Sequence, residues 1–125
     1  MPPVPTVLIV DDSRLSRMMI RTFITRVHPD WTIIEASNGQ EALEKTATLT
    51  VDVMTVDLNM PGMDGLTLAT KFKDRYPAAY ITLLTANIQD RVRHVAEAAG
   101  LGFIAKPLTE DNMLAFIAGV ENGHD

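Results

Sequence analysis

Short apolar segments alternate with amphipathic segments along most of the chain. The segment Thr6–Val10 is continuous, apolar and rich in β-branched residues, which predicts a strand buried on both faces. The second such segment is more polar, which predicts a position near the edge of a sheet. After the first strand, the predicted strands span 31–35, 51–56, 80–84 and 101–105.

Helical periodicity follows each predicted strand. The first helix is expected to begin after Asp11-Asp12-Ser13, whose side chains suit helix N-caps, and to end before Pro29. Its predicted inner face consists of Leu15, Met18, Met19, Thr22, Phe23 and Val27, and its predicted solvated face of Arg14, Arg17, Arg21 and Arg26.

The later helices are shorter or less clearly amphipathic. A short helix is predicted over 40–47, the third helix is expected to end at Pro77, and the fourth is expected to end at Gly100. The predicted inward positions of the last three helices are Leu66, Ala69 and Phe72, then Ile88, Val92, Val95 and Ala99, then Leu114, Ile117 and Val120.

Five strand–helix units in succession predict an α/β fold with a five-stranded parallel sheet that helices cover on both faces. The chain has 125 residues, which suits one domain. We therefore expect a single domain over 1–125, with no linker and no effector domain.

Composition narrows the range of functions. The chain has no cysteine, which excludes disulfides and thiolate chemistry and fits a reducing, cytoplasmic location. Its net charge of −5 provides no basic surface for nucleic acid. No apolar run approaches the ~18 residues of a membrane span, and the N-terminus lacks the pattern of a signal peptide.

Polar residues interrupt the apolar pattern where the predicted strands end. Asp11 and Asp12 follow the first strand, Asp57 the third, Thr85 the fourth and Lys106 the fifth. The carboxyl ends of parallel strands meet at one edge of a sheet, which is where open α/β folds bind ligands. The sequence therefore predicts that three carboxylates, a hydroxyl and an ammonium group converge there.

Three converging carboxylates facing one lysine favour a hard divalent cation. Mg²⁺ binds a few carboxylates and keeps positions for water and phosphate oxygens. Asp11, Asp12 and Asp57 are the candidate ligands, together with the backbone carbonyl of Asn59. A carboxylate beside such an ion can attack a phosphoryl group, which Lys106 and the hydroxyl of the threonine would then stabilise.

Structural explanations compete with this hypothesis for single residues. Asp11 and Asp12 could simply cap a helix, and Asp64 is expected to do so. The histidines at 28, 94 and 124 lie far apart in sequence, which argues against a histidine metal site.

Several motifs together resemble the response-regulator receiver domain, in the stand-alone form typified by bacterial chemotaxis regulators. They occur in order across essentially the whole chain: Asp11-Asp12-Ser13, the loop Asp57-Leu58-Asn59-Met60-Pro61-Gly62-Met63-Asp64-Gly65, Thr85-Ala86 and Lys106-Pro107. The resemblance implies the flavodoxin-like fold with strand order 2-1-3-4-5 and five helices.

The resemblance also implies a function within two-component signalling. Asp57 would receive its phosphoryl group from a phosphohistidine on a sensor histidine kinase, in a reaction that the domain itself assists. Asp12 would bind Mg²⁺ directly, and Asp11 largely through water. Thr85 and Phe103 would be coupled switch residues, although many relatives carry tyrosine in place of Phe103.

Further implications of the resemblance concern the surface and the backbone. Helix 4, strand 5 and helix 5 would bind a downstream protein, such as a flagellar motor component, a relay partner or an enzyme. The sequence leaves open whether the chain is a monomer or a phosphorylation-dependent dimer. The peptide bond before Pro107 is expected to be cis.

Two other classes of protein remain as alternatives. An aspartyl-nucleophile phosphatase usually carries a second carboxylate two residues after the nucleophile, where this chain has Asn59. A flavodoxin-like flavin protein would cradle phosphate in the loop after strand 1, where Asp11 and Asp12 would repel it. A phosphoacceptor signalling domain, rather than a metabolic enzyme, is the leading prediction.

Overall fold

A computed structural model describes residues 4–60, 64–86 and 89–122. Over these ranges the chain alternates five strands with five helices, as the sequence pattern predicts. The elements are β1 (Thr6–Val10), α1 (Arg14–Val27), β2 (Thr32–Ala36), α2 (Gly39–Lys45), β3 (Val53–Asp57), α3 (Gly65–Arg75), β4 (Tyr80–Thr85), α4 (Asp90–Ala98), β5 (Gly102–Ala105) and α5 (Glu110–Asn122).

All five strands form one parallel sheet in the order β2-β1-β3-β4-β5. The central strands β1 and β3 are almost wholly buried, which explains their continuous apolar sequences. Strand β2 is largely half-buried and lies at one edge, as its more polar sequence predicts. The fold class and strand order are those expected from the resemblance.

Two hydrophobic cores lie on opposite faces of the sheet. Ile20 and Ile24 of α1 pack on one face with Met113 and Phe116 of α5. The other core includes residues of α2, α3 and α4: Ala42, Leu68, Ala69, Phe72 and Ala96. Because both faces are covered, the ends of the strands are the part of the sheet open to a ligand.

The predicted inner face of α1 is wrong at most of its positions, although Phe23 is half-buried and packs against the core as expected. Leu15 and Met18 are 61% and 55% exposed, and Val27 is 41% exposed, whereas Ile20 and Ile24 are fully buried. Apolar residues occur on both sides of this helix, so periodicity alone did not identify the side that meets the sheet.

The predicted inner faces of the later helices are partly correct. Ala69 and Phe72 of α3 and Ile117 and Val120 of α5 are buried as expected. In α4, however, Val95 is exposed and Ala96 is buried, and in α5 Leu114 is exposed whereas Met113 and Phe116 are buried. Ile88 lies outside the described residues.

Helix caps fix the segments that lead out of the sheet. Ser13 is the N-cap of α1, and its hydroxyl accepts a hydrogen bond from the Ser16 N–H at 3.2 Å. Asp64 caps α3 as expected, since its carboxylate accepts from the Thr67 N–H at 2.8 Å. Over the described ranges, no helix combines the length and apolar character needed to cross a bilayer.

Candidate functional site

The polar residues singled out in the sequence lie at the carboxyl edge of the sheet. Asp11 directly follows β1 and is fully buried. Its backbone N–H donates to the Ala36 carbonyl of β2 at 3.1 Å. One carboxylate oxygen, Oδ1, accepts from the Ser13 N–H at 2.8 Å. The turn from β1 into α1 therefore holds the Asp11 carboxylate in a defined orientation.

Asp57 is the last residue of β3 and is only 5% exposed. The Asn59 N–H donates to Asp57 Oδ1 at 3.1 Å, and the Leu58 N–H donates to the Leu84 carbonyl of β4 at 2.8 Å. These bonds fix the start of the loop after β3. The loop continues into 61–63, which lie outside the described residues. The structure therefore covers the predicted motif at 57–60 and at 64–65.

Gly65 permits a close approach behind Asp57. A Cβ atom added at this first residue of α3 would collide with the Asp57 carbonyl oxygen and would lie 2.8 Å from the Leu58 Cα. The Gly65 N–H also donates to the Leu58 carbonyl at 3.2 Å. A glycine therefore lets α3 begin against the backbone that carries Asp57.

Lys106 joins the two buried aspartates. Its Nζ lies 3.5 Å from Asp11 Oδ2 and 3.5 Å from Asp57 Oδ1. The backbone N–H of Lys106 donates to the Thr85 carbonyl at 2.8 Å, which ties the end of β5 to the end of β4. The peptide bond between Lys106 and Pro107 is cis.

Asp11, Asp12 and Asp57 form a cluster of carboxylates. Each offers one oxygen atom, and these atoms lie within 4.8 Å of one another. Asp12 is exposed, so solvent reaches one side of the cluster, whereas the other two aspartates are buried. The single ammonium group of Lys106 leaves the charge of the cluster uncompensated.

The pKa of Asp11 is shifted mainly by burial, and the neighbouring carboxylates contribute less. Burial raises the pKa of the Asp11 carboxyl above its ordinary value of 3.8. The Ser13 amide and the Lys106 ammonium lower this pKa, whereas the charges of Asp57 and Asp12 raise it, and the net shift is upward. Ionisation of the Asp11 carboxyl group is therefore unfavourable unless a further cation lies nearby.

The residues fit a hard divalent cation. Asp11 Oδ2 is buried and accepts no hydrogen bond, although it faces the ammonium of Lys106 at 3.5 Å. Buried carboxylate oxygens normally have partners, so an oxygen left in this state beside two other carboxylates suits a metal ion. An all-oxygen donor set with an exposed side fits Mg²⁺, which retains water ligands.

Thr85 and Phe103 occupy neighbouring strands at the same end of the sheet. Thr85 is the last residue of β4 and is buried, and it stands opposite Ala105 in the register with β5. Phe103 is half-buried, stands opposite Leu83, and packs against the core beneath α4. The guanidinium carbon of Arg93 on α4 lies 5.6 Å from the centre of its ring.

Asn59 follows the cluster on the exposed side. Its backbone N–H contacts Asp57, and its side chain is exposed. The predicted role of its carbonyl as a metal ligand stays a prediction, as do the individual roles of the other site residues.

Sequence reasoning missed Arg17 and Glu35, which lie behind the cluster. Arg17 was placed on a solvated face, but one of its Nη atoms donates to the Asp11 carbonyl at 2.6 Å. Its Nε lies 3.2 Å from a carboxylate oxygen of Glu35 on β2. Arg17 shares a helix face with Ile20 and Ile24, three and seven residues later, but the sequence pattern alone does not show that this face meets the sheet.

Comparisons with known proteins agree on the family. The sequence profile of the response regulator receiver domain matches residues 7–118. The chemotaxis protein CheY of Bacillus subtilis is 35% identical over 112 residues, which cover 89% of this chain and 92% of that protein. The chemotaxis protein CheY4 of Vibrio cholerae has a similar structure, with a TM-score of 0.83, 28% identity and coverage of 94% of this chain and 98% of that one.

Other relatives are longer than this chain. A protein-glutamate methylesterase/protein-glutamine glutaminase of Archaeoglobus fulgidus is 38% identical over 104 residues, which cover 81% of this chain. The matched part makes up 29% of that protein, and the chain spans less than a third of the length of the methylesterase relatives it matches. The similarity therefore concerns one portion of these proteins.

Proposed function

Because the chain belongs to the response regulator receiver domain family, we propose that it is a phosphorylation-controlled switch whose phosphoacceptor is Asp57. The observation that supports this proposal most strongly is the setting of the Asp57 carboxylate. It is nearly buried at the end of β3, lies 3.5 Å from the Lys106 ammonium, and shares a cluster with two further aspartates. A signalling domain of this kind controls other proteins and does not convert a metabolite.

In the proposed reaction, an Asp57 carboxylate oxygen forms a bond to phosphorus as the bond from phosphorus to the donor breaks. The donor is a phosphohistidine of a sensor histidine kinase, whose imidazole nitrogen takes the departing electron pair. The hydrogen bond from the Asn59 N–H and the contact with Lys106 orient the carboxylate for this attack. Lys106 also stabilises the negative charge on the transferred oxygens.

Mg²⁺, held by Asp11, Asp12 and Asp57 with the Asn59 carbonyl as a further ligand, would neutralise charge on the phosphoryl oxygens and on the clustered carboxylates. Asp11 and Asp57 are buried and already oriented by backbone hydrogen bonds, so they need little rearrangement to bind a cation. Thr85, at the end of the adjacent strand, would donate its hydroxyl to the phosphoryl group.

Asn59, two residues after Asp57, argues for a domain that retains its phosphoryl group and against a dedicated phosphatase. Asn59 has a carboxamide, which cannot act as the general acid and base that such phosphatases place at this position. The aspartyl phosphate is therefore expected to persist long enough to be read by a partner.

The proposed output surface consists of α4, β5 and α5. Phe103 of β5 is half-buried beneath Arg93, and Arg91, Arg93 and His94 are exposed on α4. Movement of Thr85 toward a phosphoryl group would leave space behind it for the Phe103 ring, and a change in this ring would alter the surface beneath Arg93. Phenylalanine has no hydroxyl, so this ring would contribute to recognition through its position and not through a hydrogen bond.

The experiment for Asp57 uses a small phosphoryl donor. We expect the protein to gain one phosphoryl group, measured by intact mass, when it is incubated with acetyl phosphate and Mg²⁺. Asp57→Asn should gain none, and chelation of the metal should prevent labelling of the wild type. An adduct that persists in Asp57→Asn would refute the assignment, whereas Asp64→Asn, which alters an exposed helix cap in the same segment, serves as the matched control and should label normally.

A further inference from the structure

Arg17 connects the acidic cluster to the edge strand of the sheet. It lies in the first half of α1, and its side chain is only 16% exposed. One Nη donates to the Asp11 carbonyl at 2.6 Å, and Nε donates to Glu35 Oε1 at 3.2 Å. The planar guanidinium group can satisfy both acceptors at once because its donors have a fixed geometry.

The other anchors of Asp11 come from the backbone. The Asp11 N–H donates to the Ala36 carbonyl, and Asp11 Oδ1 accepts from the Ser13 N–H. Arg17 accounts for the carbonyl. The donors and acceptors of Asp11 are thus engaged except Oδ2, the atom without a hydrogen bond that faces the cluster.

Glu35 is itself held in place from several directions. It lies on β2 opposite Ile9 of β1. Arg21 Nε lies 2.6 Å from the second carboxylate oxygen, Oε2, and Lys45 Nζ donates to the backbone carbonyl of Glu35 at 2.7 Å. The Arg17 guanidinium therefore binds a carboxylate that is itself held in place, and this bond fixes the position of the donor that binds the Asp11 carbonyl.

We infer that Arg17 is a positioning residue that holds the Asp11 peptide, and thereby the free Asp11 carboxylate oxygen, in the orientation required to bind a divalent cation. This inference depends on the metal site of the proposed function, but it does not depend on phosphoryl transfer to Asp57.

Whether loss of Arg17 weakens or strengthens Mg²⁺ binding distinguishes a positioning role from a purely electrostatic one. Removal of a positive charge near three carboxylates should strengthen Mg²⁺ binding by Coulomb attraction alone. Loss of the hydrogen bond to the Asp11 carbonyl should weaken binding, because groups that orient metal ligands typically affect affinity by about tenfold or more.

Arg21 supplies a matched control within the same helix. It pairs with the same glutamate, and its side chain is 44% exposed, but the hydrogen bonds of its side chain in the described part of the chain do not reach Asp11. Arg17→Met and Arg21→Met remove the same charge and the same donors. Arg17→Lys keeps the charge but lacks the fork needed to reach both acceptors.

The test is calorimetric titration of the full chain with MgCl₂ at constant ionic strength. We expect the dissociation constant to rise about tenfold in Arg17→Met, to rise also in Arg17→Lys, and to change by less than about twofold in Arg21→Met. Affinity in Arg17→Met equal to or tighter than wild type would overturn the inference, as would an equal loss in Arg21→Met. Thermal melting without metal confirms that each variant is folded. If Arg17→Met is unfolded, the Mg²⁺ dissociation constant of Arg17→Lys provides the test.

Labelling by acetyl phosphate distinguishes this inference from the proposed function. Arg17→Met should need more Mg²⁺ for half-maximal labelling but should reach the wild-type rate at saturating Mg²⁺. If calorimetry shows the expected pattern but the wild type takes up no phosphoryl group, the phosphoacceptor function fails and the positioning role stands. If the wild type binds no Mg²⁺, both fail.

Discussion

Asp11 combines full burial with an unsatisfied carboxylate oxygen, and this combination is costly for the folded protein. Burial is the largest cause of its raised pKa, ahead of the opposing effects of Ser13 and Lys106. Because the folded chain binds the proton more tightly than the unfolded chain, this group favours folding below its unfolded pKa of 3.8 and loses that contribution as the pH rises through the raised folded value. Near neutral pH the metal-free site is therefore a source of instability, which a bound cation would relieve.

The first prediction is that Mg²⁺ stabilises the protein in a pH-dependent manner. At a free concentration a hundred times the dissociation constant, the gain in the free energy of unfolding should be about 2.7 kcal/mol. The gain should shrink as the pH is lowered through the raised pKa of Asp11, because the protonated carboxyl group cannot bind the ion. Thermal melting with and without MgCl₂ between neutral and acidic pH measures both effects.

The control for this prediction is Asp11→Asn, which keeps the size of the side chain but lacks the charge. Its melting temperature should respond to Mg²⁺ much less than that of the wild type. A Mg²⁺-dependent gain that is equal in this variant, or that does not change with pH, would contradict the role of Asp11.

Sequence reasoning identified the members of the cluster but missed the residue behind them. Asp11, Asp57 and Lys106 were recognisable because each interrupts an apolar strand at its carboxyl end, and parallel pairing brings those ends together. Arg17 gave no such signal, since an arginine on an amphipathic helix usually faces solvent. Its contact with the Asp11 carbonyl depends on which face of α1 meets the sheet.

At the scale of single elements, α1 shows why that face was hard to assign. Its apolar residues surround most of the helix, so that a stripe containing Leu15 and Met18 competes with one containing Ile20 and Ile24. The structure buries the second stripe, because Ile20 and Ile24 meet the residues of α5 and the sheet. The same ambiguity explains why Val95 of α4 was predicted to be buried whereas the structure buries Ala96. Neighbouring positions on a short helix differ little in their hydrophobic pattern.

The second prediction compares two apolar residues of α1 that lie on opposite faces. Ile20→Ala should lower the free energy of unfolding by about 2–5 kcal/mol, because it opens a cavity between α1 and the sheet. Met18→Ala removes a side chain that is 55% exposed and should change stability by less than about 0.5 kcal/mol. Urea denaturation followed by circular dichroism measures both variants, and a comparable loss in the two would show that the exposed stripe is packed against something in solution.

At the scale of the whole molecule, the strand order brings together the aspartates that follow β1 and the aspartate that ends β3. The order β2-β1-β3-β4-β5 sets β1 beside β3, so Asp11 and Asp57 become neighbours although they lie 46 positions apart in sequence. The alternation of strands and helices predicted a parallel sheet, but the order itself came from the resemblance to a family. Periodicity alone cannot give the order, because every central strand has the same buried, apolar pattern.

The last prediction concerns the path by which a charge on Asp57 reaches the surface. Lys106 directly follows β5 and contacts Asp57, whereas Phe103 lies three residues earlier, within β5, and packs beneath Arg93 of α4. A phosphoryl group on Asp57 would draw Lys106 and Thr85 toward it, and β5 would carry that displacement to α4. We therefore expect beryllium fluoride with Mg²⁺, which mimics the phosphoryl group, to change backbone hydrogen exchange in 89–106 more than in 37–50.

The contrast between these two segments is informative because they lie near opposite edges of the sheet. Residues 37–50 follow the edge strand β2, which is joined to the site through Ala36, Glu35 and Arg17, whereas 89–106 is joined through Lys106 directly to Asp57. Asp57→Asn should abolish the response in 89–106, and Lys106→Met should reduce it while leaving the fold intact. A response of equal size in both segments would mean that phosphorylation loosens the sheet as a whole, and the surface of α4, β5 and α5 would then have no special claim to be the output of the switch.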